Sequence, residues 1–375
     1  MLVFAIVACF APASSPEPSP QPTDATPGAP GEDHDKTPIS PEDRNPPGSD
    51  APSLSPAEPG SEPDPVTLGL CDGWDTARLD LRSLEAVTPT VADAAALGLT
   101  IVRPHRARGH VFSWNLIYPP DAPVAQWSLA DAVVAEAGTL NVALLITLYP
   151  TADPGPGGGG VVGVGPPSDT EAYQTFVSEL VERYDGDGVG DMAGLAIPVR
   201  HWEIGNEPTC ATEDVPCQIG FVQLVRLTAA AIRVADPDAF VIAGASAPLH
   251  VQGGSRNTRA EAVYRYFVDN GGLENTDALN IHLATGMSEV SIDESLDLWH
   301  EIAGDQPIWI TEMATRSPHD RDRVAPTEAG EATWLTDTLD RAAARNVDHV
   351  FWCLAKGDMA RFPAVTEAIR DYTAR

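Results

Sequence analysis

Basic residues are scarce in this chain: 23 Lys and Arg stand against 54 Asp and Glu, a formal net charge of −31 over 375 residues. A surface of that sign repels nucleic acid and anionic lipid, so nucleic-acid partners are excluded and polyanionic substrates disfavoured. Long hydrophobic runs are missing as well. The apolar run at residues 1–11 (MLVFAIVACFA) is too short to cross a bilayer as a helix. Cysteine is rare, five in all, and Cys9 lies in that run. The remaining four cannot form a dense disulfide framework, and a domain of roughly 310 residues needs neither that nor a metal to stabilise its core. Lysine is nearly absent beyond residue 66, where Lys356 stands alone.

The two ends of the chain differ in kind. Residues 1–13 read as a secretory leader, with Ile6-Val7-Ala8-Cys9 resembling a bacterial lipoprotein box in which Cys9 is acylated. A competing cleavage follows Ala11-Pro12-Ala13. Residues 14–66 are rich in Pro, Ser, Gly and acidic side chains and carry almost no aliphatic or aromatic ones. Such a segment cannot bury enough apolar area to offset its chain entropy and is expected to be a disordered, extended spacer. Export follows, either as a membrane-anchored lipoprotein or as a secreted protein.

From residue 67 to 375, short apolar runs alternate with longer amphipathic stretches, the pattern of a parallel sheet with crossover helices. The expected strands are 67–71, 100–103, 142–148, 199–205, 239–243, 278–282, 308–311 and 349–353. Eight such runs predict an α/β fold, a (β/α)8 barrel. In the helical stretch 170–184, Tyr173, Phe176, Val177, Leu180 and Val181 recur at three-to-four spacing and define one buried face. A doubly wound sheet would carry a Gly-rich turn after its first strand, which 69–73 (GLCDG) does not supply. The glycines 157–160, 163 and 165 lack the Lys-Ser/Thr of a phosphate loop and read as a flexible loop at the barrel mouth.

Two apolar strands end in carboxylates. The fourth runs His201-Trp202-Glu203-Ile204-Gly205-Asn206-Glu207-Pro208, and the seventh runs Ile308-Trp309-Ile310-Thr311-Glu312. Barrel active sites lie at the C-terminal ends of strands. One such Glu is ordinarily a solvated residue; two, on strands four and seven, form a pair. On these motifs the chain resembles the clan A glycoside hydrolases, the superfamily of many cellulases, xylanases, β-xylosidases and arabinofuranosidases. The resemblance extends in element order over residues 67–375 and includes Arg103 ending strand 2, Trp114 after it and Trp352 on strand 8. It implies hydrolysis of a carbohydrate with retention, Glu207 as acid/base and Glu312 as nucleophile, with Asn206 on the sugar 2-hydroxyl. It implies no organic cofactor, and a monomer is expected. One position departs from the pattern: many members carry Tyr two residues after the strand-6 His, whereas Ala284 follows His282-Leu283 here.

The chemistry requires these residue types. A glycosidic bond breaks through an oxocarbenium-like state, with one carboxylic acid protonating the leaving oxygen and one carboxylate attacking the anomeric carbon. A cation beside the nucleophile favours its charged form, and Arg103 is the candidate. Glu203 points to the same side of its strand as Glu207, one layer deeper. A charge there needs a partner: Arg103 bridging two carboxylates, or else protonation or backbone contacts. Trp352 and Trp114 are candidate sugar platforms, or core residues; His282 contacts sugar or nucleophile, or fills the lumen.

Other features carry alternatives. Asp185, Asp187 and Asp191 fit a calcium-loop spacing, and equally a helix-stopping Asp-Gly turn. Cys210 and Cys217 flank a short polar loop and either close a disulfide or remain thiols; Cys71 and Cys353 fall on neighbouring strands as buried thiols or a second pair. An inert carbohydrate-binding barrel on the cell surface is the main rival in function. An aldolase would need a strand-end Lys and a metallohydrolase clustered His ligands; neither is found at the strand ends.

Overall fold

The computed structural model describes residues 65–72, 89–104, 109–119, 124–149, 165–208, 210, 213–246, 250–251, 255–284, 289–314, 327–354 and 362–375, all within the compact unit Gly60–Arg375. Each of the eight apolar runs forms a strand: β1 (Thr67–Asp72), β2 (Ile101–Arg103), β3 (Ala143–Leu148), β4 (His201–Asn206), β5 (Phe240–Ser246), β6 (Ala278–Ala284), β7 (Ile308–Ala314) and β8 (Val347–Leu354). They pair in parallel in chain order, and β1 pairs with β8 from Thr67 opposite His349 to Asp72 opposite Leu354, which closes the barrel. Helices alternate with the strands: α1 (Pro89–Ala96), α2 (Ser128–Leu140), α3 (Thr170–Glu182), α4 (Val215–Ala235), α5 (Thr258–Asp269), α6 (Glu289–Ala303), α7 (Glu328–Ala343) and α8 (Pro363–Thr373). This is the predicted (β/α)8 architecture.

Local sequence accounts for the helix ends and faces. Asp169 caps α3 by accepting from the Ala172 amide at 3.0 Å, and Asp214 caps α4 by accepting from Cys217 at 3.2 Å. All five apolar positions picked out on α3 are buried. The predicted leader with Cys9, the spacer up to residue 64, glycines 157–160 and 163, and Lys356 lie outside the described residues, while Val66 at the end of the predicted spacer is buried.

Alternation along the strands divides the interior in two. One set of side chains packs outward against the helices. The other fills the lumen, with Cys71, Ile101, Leu145, Ile242, Ala278, Trp309, Phe351 and Cys353 in one cluster. Gly69 makes room for this filling, since a Cβ there would lie 2.7 Å from the Phe351 ring. At the N-terminal end the lumen is closed by stacked rings. Trp309 lies 3.8 Å from His349 and 5.0 Å from Phe240, with His201 at 5.6 Å.

The aspartate loop also lies at this end, between α3 and β4. Carboxylate oxygens of Asp185, Asp187 and Asp191 come within 4.8 Å of one another. They accept backbone N–H groups of the loop itself: Asp191 from Gly186 and Gly188, Asp185 from Asp187, and Asp187 from Val189. The loop thus has its own hydrogen bonds beside any affinity for an ion. Calcium held here would raise the melting temperature by mass action; identical melting curves in chelator and in millimolar calcium would remove the calcium reading.

The ring plug carries a pH dependence. Burial, and then the neighbouring His201, lower the His349 pKa from 6.5 to about 4, and its Nδ1 is buried without a hydrogen-bond partner among the described residues. The folded state therefore takes up this proton later than the unfolded chain. Stability from the neutral ring is full above about pH 6.5 and is lost as pH falls towards 4. His349→Phe keeps a ring against Trp309 and removes the titration, so its melting temperature is expected to fall less than that of the wild type between pH 7 and 4.

Candidate active site

Two local irregularities, one on each strand concerned, bring the two strand-end glutamates together. At the end of β4, Gly205 has φ 73° and Glu207 has φ 45°. Glycine adopts this region freely; for a glutamate it costs about 1 kcal/mol. The other two non-glycine residues with positive φ among the described residues are asparagines, which tolerate it better. The break in alternation lets Asn206 and Glu207 both serve the mouth. On β7 the device is a bulge. Ile281 and His282 of β6 face Ile310 and Glu312, and Val350 and Trp352 of β8 face Ile310 and Met313, so β7 has one extra residue against both neighbours. Trp309 and Thr311 already face inward, and strict alternation would send Glu312 to the helices; the extra residue re-aims it.

Arg103 holds the site together from below. It is fully buried. Its Nε donates to Glu203 Oε2 at 2.7 Å, Nη1 to Glu312 Oε1 at 2.8 Å, and Nη2 to Asn206 Oδ1 at 2.7 Å. Burial alone would lower the guanidinium pKa, but Glu203 and Glu312 outweigh it and the pKa lies well above the ordinary value. Glu203, equally buried, also accepts from Thr147 at Oε2 and from Asn280 at Oε1, the latter at 2.6 Å. Arg103 therefore bridges two carboxylates, one structural and one at the mouth. Thr147 and Asn280 escaped notice in the sequence. Their signal was a lone polar residue inside an apolar strand, which a buried network explains.

His282 of β6 stands between the two mouth carboxylates. Its Nδ1 lies 2.9 Å from Glu207 Oε1 and 3.6 Å from Glu312 Oε2. One oxygen of each glutamate and a ring nitrogen of His282 fall within 4.8 Å of one another. Glu312 is nearly buried, while Glu207 is partly open to solvent. By residue type these three groups could hold a divalent cation. The Arg103 guanidinium already occupies one Glu312 oxygen and adds positive charge there, which disfavours a second cation.

The two candidate platforms lie elsewhere. Trp352 is a correction to the expectation of a sugar platform. It is 1% exposed and packs on Trp334 of α7, ring centroids 5.9 Å apart. Phe351 and Cys353 face the lumen, so alternation turns Trp352 to the helices. Trp114, on the single helical turn Trp114–Ile117, stacks on Phe176 of α3 at 6.2 Å and is half-buried in that layer. Cys210 and Cys217 are disulfide-bonded, tying the segment after Glu207 to the first turn of α4. A loop of that size contributes about 2–3 kcal/mol by chain entropy.

No protein-family model matches this chain, and no curated protein matches it. Solved structures do. A glucosidase from Croceicoccus marinus is 17% identical over 84% of this chain and 69% of its own, with a TM-score of 0.57. An endo-1,4-β-D-mannanase from Thermotoga petrophila is 17% identical over 82% and 99%, at 0.54. A xylanase from Thermotoga maritima is 14% identical over 82% and 95%, at 0.53. The structure is thus similar to glycoside hydrolases of the clan the two motifs resemble. At these identities the likeness establishes the shared fold.

The buried network makes Glu203 a sensitive position. Glu203→Gln leaves Arg103 with one counter-charge fewer and turns an amide N–H₂ towards donors. Loss of about 3 kcal/mol or more in urea unfolding is expected. A change below about 1 kcal/mol would show that Glu312 and Asn206 suffice to hold the guanidinium.

Proposed function

We propose that this protein is a retaining glycoside hydrolase, cleaving O-glycosidic bonds, β-linked by preference, in a neutral poly- or oligosaccharide. The observation that carries the reading is that one carboxylate oxygen of Glu207 and one of Glu312 come within 4.8 Å of each other at the barrel mouth. Retaining enzymes hold their two carboxyl groups about 5–5.5 Å apart, whereas inverting ones leave room for a water at about 6.5–9.5 Å. The fold shared with a glucosidase, a mannanase and a xylanase supports the same class.

In this reading Glu312 attacks the anomeric carbon as Glu207 protonates the departing oxygen. A glycosyl–Glu312 ester forms, and Glu207 then takes a proton from the water that releases the sugar. Arg103 holds the Glu312 carboxylate in place between turnovers, and through the same guanidinium orients Asn206, whose amide N–H₂ remains to meet a sugar hydroxyl. His282 fixes the Glu207 rotamer through the 2.9 Å contact. The partly open Glu207 faces the leaving group and solvent, while the nearly buried Glu312 is sheltered. We also read the protein as exported and monomeric, anchored through an acylated Cys9 or released.

The two roles separate in kinetics. Glu312→Ala is expected to abolish turnover of every substrate, because no glycosyl-enzyme forms. Glu207→Ala should still be glycosylated by a dinitrophenyl glycoside, whose leaving group needs no proton. Deglycosylation then limits kcat, intermediate accumulates, and azide restores turnover, giving the β-azide. Equal loss on aryl and natural substrates with no azide effect would overturn the assignment. No turnover by the wild type across an aryl glycoside panel would favour an inert sugar-binding barrel instead.

A further inference from the structure

The two glutamates of the mouth are held by different means. Glu312 lies within β7, paired with β6 on one side and β8 on the other, and its Oε1 accepts from Arg103 at 2.8 Å. Glu207 lies one residue past the end of β4. Its φ of 45° runs against local preference twice. A glutamate disfavours the left-handed region, and the Pro208 that follows favours extended backbone at the residue before it. A conformation of that kind persists only where its surroundings fix it.

Upstream, the support is β4 itself, with Asn206 opposite Ala245 of β5. Downstream, Cys210 follows Glu207 by three residues and is joined to Cys217, the third residue of α4. Three residues of chain reach at most about 11 Å, so the cross-link closes near the backbone of Glu207. The helix gives it a firm anchor: Asp214 caps α4, and Phe221, Val222, Leu224 and Val225 are buried along it. The two sulfur-bearing residues differ in access. Cys210 is buried, at 3% exposure, whereas Cys217 is partly exposed.

We propose that the Cys210–Cys217 disulfide is a redox-sensitive positioning element for Glu207, and that its reduction removes acid/base function while leaving Glu312 in place. The kinetic part of this inference rests on the glycosidase reading. A dithiol reductant attacks the accessible Cys217 sulfur; the S–S bond breaks, and the Cys210 sulfur leaves as a thiolate and takes up a proton. The second thiol of the reductant then displaces Cys217. The protein gains two electrons and two protons, and the reductant becomes a disulfide. The chain after Glu207 loses its tie to α4, and its backbone relaxes from the left-handed region towards the extended one. The Glu207 carboxylate then leaves its place 2.9 Å from His282. The Arg103–Glu312 pair is built from β2 and β7, far from this segment in the chain, so the barrel stays closed and Glu312 keeps its position.

The test compares the full chain before and after dithiothreitol, with Cys217→Ser and Cys210→Ser as permanently open forms. General acid catalysis is worth about 10²–10⁴-fold, so reduced wild type is expected to lose at least about tenfold in kcat/KM on an unactivated oligosaccharide. On a dinitrophenyl glycoside, whose leaving group needs no proton, kcat/KM is expected to stay within about threefold, with azide raising kcat. Reoxidation restores the wild type, and Cys217→Ser matches the reduced enzyme and ignores dithiothreitol. Equal loss on both substrates, or no loss on either, overturns the proposal. A bond left intact by dithiothreitol in the folded protein overturns its redox part, and the serine variants then decide the positioning role. Amide exchange reads that role without turnover: opening the bond is expected to speed exchange in a peptide covering residues 203–217 and leave one covering 308–314 unchanged. Faster exchange in both peptides, or in neither, overturns it. If oxidised wild type hydrolyses no glycoside, the glycosidase reading fails, and the exchange measurement still decides what the disulfide holds.

Discussion

A guanidinium with no exposed surface is the constraint on which the mouth of this barrel depends. Taking Arg103 out of water costs several kcal/mol unless its charge and donors are met. Its partners come from different parts of the chain: Glu203 and Asn206 from β4, Glu312 from β7, Cys71 from β1. None is near Arg103 in sequence. The charge can be neutralised only when the strands have closed in the observed register, so barrel closure and site assembly are one event. The cluster holds two carboxylates against one guanidinium, and Thr147 and Asn280 satisfy Glu203 from behind. What remains available to a ligand is the mouth, where Glu207, Glu312 and His282 converge.

The two ends of the lumen divide the work. The N-terminal end is filled by stacked rings of Phe240, Trp309 and His349, a close-packed floor with no room to shift. The C-terminal end departs from regular strand geometry at the two candidate catalytic residues: a left-handed Glu207 directly after β4 and a bulge before Glu312 on β7. Irregularity of this sort persists only where the surroundings over-determine it. Here the surroundings are Arg103 below, His282 between, and the disulfide that ties the chain after Glu207 to α4.

The two cysteine pairs sit on different kinds of backbone. Cys210 and Cys217 sit on a loop and a helix start, where the backbone can bring their Cα atoms to 5.8 Å with the side chains turned together. Cys71 and Cys353 belong to hydrogen-bonded strands whose spacing is set by the sheet. The seam pair is present as thiols, with Cys71 beside the buried guanidinium of Arg103.

Much was legible from local pattern. The eight strands, the amphipathic face of α3 and the strand-end position of Glu207 and Glu312 follow from period-two and three-to-four spacing, which a chain carries residue by residue. Alternation along β4 also showed that Glu203 would lie beneath Glu207 and need a counter-charge. Phase was the limit. The end of β8 from Val350 to Leu354 is apolar on both faces, so nothing in it distinguished a Trp352 facing sugar from one packed on Trp334; closure of the barrel against α7 decided that. Glu312 shows the converse, because the extra residue of β7 exists only relative to its neighbours. Which polar residue meets which, Arg103 with Glu203 and Glu312 or His282 with Glu207, depends on contacts across 75 residues or more. Sequence determines periodicity because that is a property of adjacent residues; register, bulge and partner are relations between strands, and exist only once the barrel has closed.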